Sequence, residues 1–190
     1  MENILNKLLE RLNDAEKIVF MGIGENKMTD DGIGPYIATN LLEYSNDKFL
    51  FMNANIDPMA RIDQIEKFNP SHIIVLDTCT LNKPPGTVAI LERENIKDHV
   101  PISSHTIPIH VVLDLLKNKI DNLDVFMIGV VPKSLEGFSE LKRYKEGELT
   151  LEEINENEDL PLFDFQLTET IQKVADNLIQ IIEKIVRKLS

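Results

Sequence analysis

Apolar residues along the chain fall into two patterns, short continuous runs and longer stretches with helical spacing. The short runs are rich in valine, isoleucine and phenylalanine, and runs of this kind predict buried β-strands. They cover residues 17–22, 48–54, 72–78, 86–92 and 124–131. The run at 86–92 follows the turn-prone sequence NKPPG and is compatible with an edge strand of either direction.

Apolar residues spaced three and four positions apart predict helices between and around these strands. The predicted helices are a lead-in helix within residues 1–16, then 31–44, 58–68, 105–119 and a long C-terminal helix from about residue 167. In the helix at 105–119, Pro108 is expected in the first turn, where proline is tolerated. Residues 142–161 are polar and acidic, which predicts a surface insertion.

The alternation of strands and helices predicts an α/β fold. We expect a single domain over residues 1–190 with three layers, in which a mostly parallel, twisted sheet of about five strands lies between helices. The 190 residues, 43% of them hydrophobic, suffice for the core of one such domain.

The net charge and the cysteine content exclude several classes of protein. A formal net charge of −12 argues against a nucleic-acid-binding surface. Charged residues throughout the N-terminal segment argue against a signal peptide or a membrane span there. The single cysteine, Cys79, excludes an internal disulfide and fits a reducing compartment. We therefore expect a cytoplasmic protein without membrane insertion and without a nucleic-acid partner.

The loop sequence GIGENKMTDDGIGP follows the first predicted strand. Gly22 and Gly24 stand where the first two glycines of a dinucleotide-binding fingerprint stand, but the third position is Lys27. Asp30 and Asp31 follow at the predicted helix start, where a phosphate needs bare N–H groups, so a nucleotide site is disfavoured. A single aspartate here is best explained as a helix cap, whereas two adjacent aspartates also fit a cation site.

Two further residues are candidates for the same site. Asp77 ends the predicted strand at 72–78, and ligands of open α/β sheets bind beyond the carboxyl ends of strands. His105 begins a predicted helix in the sequence SSHTIPIH. Taken alone, Asp77 also fits a turn cap and His105 a capping or surface residue. Two carboxylates and one imidazole, with Asp31 as the other carboxylate, suit a borderline divalent ion.

Other catalytic arrangements find less support in the sequence. It contains neither an H-E-x-x-H zinc pair nor a G-x-S-x-G nucleophile elbow. Cys79 has no evident histidine partner and is expected to pack rather than react. His72 and His110 are expected to be structural, and His99 is expected in a polar loop. A hydrolase with this sequence would therefore use carboxylate and metal chemistry rather than a covalent nucleophile.

Four segments, taken together, resemble the hydrogenase maturation endopeptidase family. They are GIGENKMTDDGIGP, HIIVLDTCTLNKPPGTV, SSHTIPIHVVLDLL and VFMIGVVPKSLEGFSE, which occur in the family's order over roughly residues 17–140. The resemblance implies a twisted, mostly parallel five-stranded sheet and a divalent metal bound by Asp31, Asp77 and His105. One departure is Glu25, which stands where the family usually has asparagine and adds a negative charge near the site.

The resemblance also implies a function. Members of the family remove a C-terminal extension from the large-subunit precursor of a nickel–iron hydrogenase after nickel insertion. The resemblance implies an aspartic-type or metal-dependent peptide hydrolase in which Asp31, Asp77 and His105 are catalytic. The metal is then nickel supplied by the substrate, and we expect no metal to be tightly bound to the isolated chain. We also expect the chain to be monomeric. The alternative is a metal-sensing assembly factor that docks on the large subunit without cutting it.

Overall fold

Strands and helices alternate along the chain in a computed structural model that describes residues 2–26, 28–100, 107–135 and 166–190. The strands are β1 (Ile18–Ile23), β2 (Phe49–Asn55), β3 (His72–Thr78), β4 (Val88–Glu92) and β5 (Asp124–Val130). The helices are α1 (Glu2–Arg11), α2 (Ile33–Asn40), α3 (Ile62–Phe68), α4 (Arg93–His99), α5 (Ile109–Lys119) and α6 (Glu169–Leu189). Short 3₁₀ turns cover Thr29–Gly32, Leu42–Tyr44 and Pro58–Arg61.

The five strands form one sheet in the order β2-β1-β3-β5-β4. The first four are parallel neighbours, whereas β4 runs antiparallel to β5 at the edge. This confirms the predicted three-layer α/β fold and gives the edge strand its direction. Strand β1 has β2 on one side and β3 on the other, so the strand order reverses at β1. Ligands of such sheets bind in the crevice at the carboxyl ends of the strands where the order reverses.

Helices cover both faces of the sheet, and the strand residues alternate between two cores. Ile18 and Phe20 of β1 belong to the core beneath α1, α2 and α6. Val19 and Met21 belong to the opposite core, beneath α3, α4 and α5. Because both faces of the sheet are buried, the strands read as continuous apolar runs rather than alternating ones.

Helix α2 approaches the sheet closely through two glycines. A Cβ atom added at Gly22 would lie 2.1 Å from the carbonyl oxygen of Gly34, and one added at Gly34 would lie 2.1 Å from the carbonyl oxygen of Leu76. Neither position therefore has room for a side chain. The close approach sets the start of α2, and the 3₁₀ turn before it, directly over β1 and β3.

We expect Gly34→Ala to destabilise the fold by about 2–3 kcal/mol, because the added methyl group overlaps backbone atoms of two strands. Urea unfolding followed by circular dichroism measures the loss. Gly32→Ala is the matched control, since a Cβ atom there would lie 3.3 Å from its nearest neighbour, the Cα atom of Asn26. Equal losses in the two variants would contradict the close contact at Gly34.

Two predicted helices differ from those in the structure. The helix expected at 105–119 begins at Ile109, because Pro108 has ψ 131° and is the extended residue before the first turn. The helix expected at 31–44 is divided into a 3₁₀ turn, α2 and a second 3₁₀ turn. Helix α4 was not predicted, and His99 ends this helix rather than lying in a loop. The acidic segment predicted at 142–161 lies outside the described residues.

Helix α1 lies within the predicted lead-in range 1–16 and is held to the sheet by its last residue, Arg11. The Arg11 guanidinium donates hydrogen bonds to the carboxylates of Asp124 and Glu92 and lies 4.0 Å from the ring centre of Phe126. The hydrogen bond from Arg11 lowers the pKa of Asp124. Within the described ranges, no helix is both long enough and apolar enough to cross a membrane.

Candidate functional site

Asp31 and Asp77 lie at the carboxyl ends of β1 and β3, where the strand order reverses. Asp77 is the penultimate residue of β3, and Asp31 belongs to the 3₁₀ turn between β1 and α2. Both residues are buried, with relative exposures of 2% for Asp77 and 3% for Asp31. The sheet topology therefore brings together two carboxylates that are 46 positions apart in the sequence.

The hydroxyl group of Thr78 lies between these two carboxylates. Its Oγ1 atom is 3.2 Å from Asp31 Oδ1 and 3.5 Å from Asp77 Oδ1. A threonine hydroxyl has one proton to donate, so it serves one of the two carboxylates at a time. The backbone N–H of Thr78 also donates to Asp77 Oδ1, with an N–O distance of 2.6 Å. The two carboxylates thus converge on a single residue.

The glycine loop orients Asp31 from the other side. The backbone N–H of Glu25 donates to Asp31 Oδ2, with an N–O distance of 2.7 Å. Gly24, just before it, has φ +135°, and a Cβ atom there would lie 1.8 Å from the carbonyl oxygen of Asp31. The loop therefore requires glycine at this position so that the chain can fold back over Asp31.

Asp30, the other member of the acidic pair, has a different environment. It is fully buried, and its carboxylate accepts hydrogen bonds from Lys133, Ser134 and Thr168. Asp30 is therefore not a helix cap, since the N-cap positions of the 3₁₀ turn and of α2 are Met28 and Gly32 and its carboxylate binds distant segments. Its partners are 103 to 138 positions away, so no local pattern in the sequence could indicate this role.

The third predicted site residue, His105, lies outside the described residues. Among the described residues, no three histidine, cysteine, aspartate or glutamate side chains form a group able to hold a metal ion. The metal site of Asp31, Asp77 and His105 thus stays a prediction. His72 lies at the opposite end of β3 from Asp77, and burial lowers the pKa of its imidazole.

Cys79 directly follows the site but has the properties of a core residue. It is fully buried and belongs to the core beneath α3, α4 and α5. Burial, and secondarily the charge of Asp77, raise the pKa of its thiol to about 12. Cys79 therefore carries almost no thiolate at neutral pH and is not poised to act as a nucleophile.

Two carboxylates that converge in a buried position repel each other when both are charged. A divalent cation between them would offset this repulsion, and carboxylate oxygens with an imidazole nitrogen suit a borderline ion. In a peptidase, the same carboxylates can also accept the proton of an attacking water molecule. The geometry is therefore compatible with both cation binding and general-base catalysis.

A groove of about 320 Å³ adjoins the turn that carries Asp31. Gly32, which follows Asp31, lies in its wall, and Asn26, Thr39 and Gln166 are among the polar residues of its lining. The groove extends along α2 to the start of α6, where Gln172 completes the lining. Its lining residues are uncharged, which contrasts with the acidic pair beside it.

Comparisons with known proteins agree on one family. The model of the hydrogenase maturation protease family matches residues 35–143. A Methanocaldococcus jannaschii protein assigned as a hydrogenase maturation protease is 29% identical over 137 residues, which span 68% of this chain and 80% of that protein. The coenzyme F420 hydrogenase subunit delta of Methanothermobacter thermautotrophicus is 30% identical over 127 residues, which span 64% of this chain and 78% of that protein.

A solved structure shares the fold. The NiFe hydrogenase maturation protease HycI from Thermococcus kodakarensis superposes with a TM-score of 0.71 at 20% identity, over 95% of this chain and 99% of that one. The family match covers more than half of the 190 residues and includes β2, β3, β4 and β5. The chain belongs to the hydrogenase maturation protease family.

Proposed function

We propose that this chain is an endopeptidase that removes the C-terminal extension of a nickel–iron hydrogenase large-subunit precursor after nickel insertion. The observation that carries the proposal is the convergence of Asp31 and Asp77 on Thr78 at the carboxyl ends of β1 and β3. Membership of a protease family supports the hydrolytic activity. The buried carboxylate pair supports the choice of a metal-bearing substrate, because a divalent ion offsets the repulsion within the pair.

In this proposal the nickel ion belongs to the precursor and is recognised as part of the substrate. Asp31, Asp77 and His105 bind it and thereby hold the scissile peptide bond beside the carboxylates. The N–H groups of Glu25 and Thr78 orient the two carboxylates through hydrogen bonds of 2.7 Å and 2.6 Å. Water then attacks the peptide carbonyl, either with a carboxylate as the general base or with nickel polarising the carbonyl group.

The groove beside Asp31 is suited to the peptide next to the scissile bond. An extended peptide offers N–H and C=O groups that amide and hydroxyl side chains bind without any charge. Asn26, Thr39 and Gln166, which have side chains of this kind, belong to the lining of the groove. Gly32 in the wall of the groove directly follows the proposed ligand Asp31 in the chain, which supports this use of the groove. An uncharged lining also avoids selecting for one charge type along the tail of the precursor.

A second candidate function is a metal-sensing assembly factor that docks on the large subunit without cutting it. It is favoured by one relative, whose name is that of a hydrogenase subunit rather than of a protease. This candidate uses the same three ligands and the same nickel-bearing partner. The two functions differ only in whether the precursor loses its tail.

Mass spectrometry of a nickel-loaded large-subunit precursor tests the proposal directly. After incubation with this chain, we expect a large subunit shortened by its C-terminal extension, together with the released peptide. The same precursor incubated alone is the control for spontaneous cleavage. A precursor that binds the chain yet keeps its full mass would overturn the endopeptidase proposal and support the assembly factor.

A further inference from the structure

The carboxylate of Asp30 joins three separate segments of the chain. Its Oδ2 atom lies 2.8 Å from the backbone nitrogen of Lys133 and 2.8 Å from that of Ser134, both just after β5. Its Oδ1 atom lies 2.7 Å from the backbone nitrogen of Thr168, and the Thr168 hydroxyl is 3.1 Å from Oδ2. The backbone N–H of Asp30 donates in turn to the carbonyl oxygen of Ser134, over 3.2 Å.

These partners share a topological property. Lys133 and Ser134 lie shortly after β5, whereas Thr168 directly precedes the first residue of α6. The residues just after β5 and the residue just before α6 therefore bind one carboxylate, and the turn that carries this carboxylate also carries Asp31. Four donors converge on the two oxygens of a group with no solvent exposure, so each lost bond would leave a buried polar group without compensation from water.

We propose that Asp30 is a positioning residue, which fixes Asp31 by tying its turn to the exit of β5 and to the start of α6. This inference rests on the proposed function, in which Asp31 contacts the substrate's metal. The two aspartates are adjacent in one four-residue turn, so a displacement of Asp30 moves the backbone of Asp31. The two aspartates thus have different roles: Asp31 is the ligand, and Asp30 holds the turn that carries Asp31 in position.

Asp30→Asn tests the proposal, because the amide keeps the shape of the side chain but presents an N–H group to the donors of the anchor. Hydrogen exchange of the isolated chain, resolved by NMR, gives two readouts. The amides of Lys133, Ser134 and Thr168 report on the anchor itself. The amide of Glu25 reports on Asp31, because it donates to Asp31 Oδ2 and not to Asp30.

We expect exchange of the Glu25 amide, as well as of the three anchor amides, to accelerate about tenfold or more in Asp30→Asn. Asp47→Asn is the matched control, because the same substitution at an exposed residue should leave all four amides unchanged. Faster exchange at the three anchor amides with unchanged exchange at Glu25 would overturn the proposal, since Asp30 would then be purely structural.

Thr168→Val keeps the proposal testable if Asp30→Asn does not fold. It removes the hydroxyl donor while retaining the backbone N–H, so we expect a smaller acceleration at Glu25, of about threefold. Unchanged exchange at Glu25 in a folded Thr168→Val chain would overturn the proposal in that case. No substrate enters either measurement, so a failure of the wild-type chain to cut a precursor would refute the proposed function without affecting this result.

Discussion

Asp77→Asn and His105→Ala are each expected to slow cleavage of the nickel-loaded precursor by about a thousandfold or more, because each removes one of only three proposed ligands. The fold should survive the change at Asp77. Asparagine retains an oxygen that can accept the hydrogen bond from the Thr78 N–H. In the wild-type chain the N–O distance of this bond is 2.6 Å. It removes only the negative charge, which is the property that a cation or an attacking water molecule requires.

The stability of Asp77→Asn towards urea shows whether a loss of cleavage comes from a lost functional group or from a damaged fold. Asp77 is buried within β3 and is not exposed at a loop edge, so a purely structural role would make the substitution costly. In the proposed site, by contrast, the change removes one of two charges that repel each other across Thr78. We therefore expect the urea midpoint of the variant to equal or exceed that of the wild-type chain while cleavage is lost.

Two variants serve as controls for these substitutions. Asp47→Asn makes the same chemical change at an exposed position, and His110→Ala removes a histidine from α5, the helix that follows His105. Both should cleave at nearly the wild-type rate. Near-normal cleavage by Asp77→Asn or His105→Ala would remove that residue from the site. Loss of cleavage in step with loss of stability would instead assign Asp77 a structural role.

The strands could be predicted from the sequence because burial on both faces leaves a strong local signal. The run at 72–78 coincides with β3, residue for residue. The same reasoning located Asp77 at a strand end and Asp31 in the loop after β1, and the order of the strands then brought the two together. Position at the carboxyl ends of strands is thus a property that a single sequence reveals well.

The contacts of Asp30 could not be predicted, because they depend on partners that are distant in the sequence. In the sequence, Asp30 and Asp31 are equivalent acidic residues at a helix start. In the structure they differ. The carboxylate of Asp31 accepts hydrogen bonds from Glu25 and Thr78, whereas that of Asp30 accepts hydrogen bonds from residues after β5 and before α6. Helix α4 was missed for a related reason, since its seven residues bury few apolar side chains and leave a weak periodic signal.

The other large expected effect concerns the metal, which we propose comes from the precursor rather than from this chain. Asp31, Asp77 and His105 would supply three donors without a thiolate, which makes a modest site for a borderline ion. We therefore expect the purified chain to be largely free of metal when it is measured by inductively coupled plasma mass spectrometry. A nickel ion held by the precursor brings its own ligands, so the complex between chain and precursor should bind nickel more strongly than either partner alone.

Cleavage should consequently depend on nickel in the substrate rather than on metal bound beforehand to this chain. Parallel incubations with nickel-loaded and metal-free precursor, at equal concentrations, measure this dependence through the rate at which the C-terminal fragment appears. We expect the loaded precursor to be cut about a hundredfold faster or more, because the metal-free precursor lacks the ion that would connect the substrate to the carboxylates in the proposed site. Equal cutting of the two precursors, or a stoichiometric zinc ion retained by the isolated chain, would contradict recognition through the substrate's own nickel.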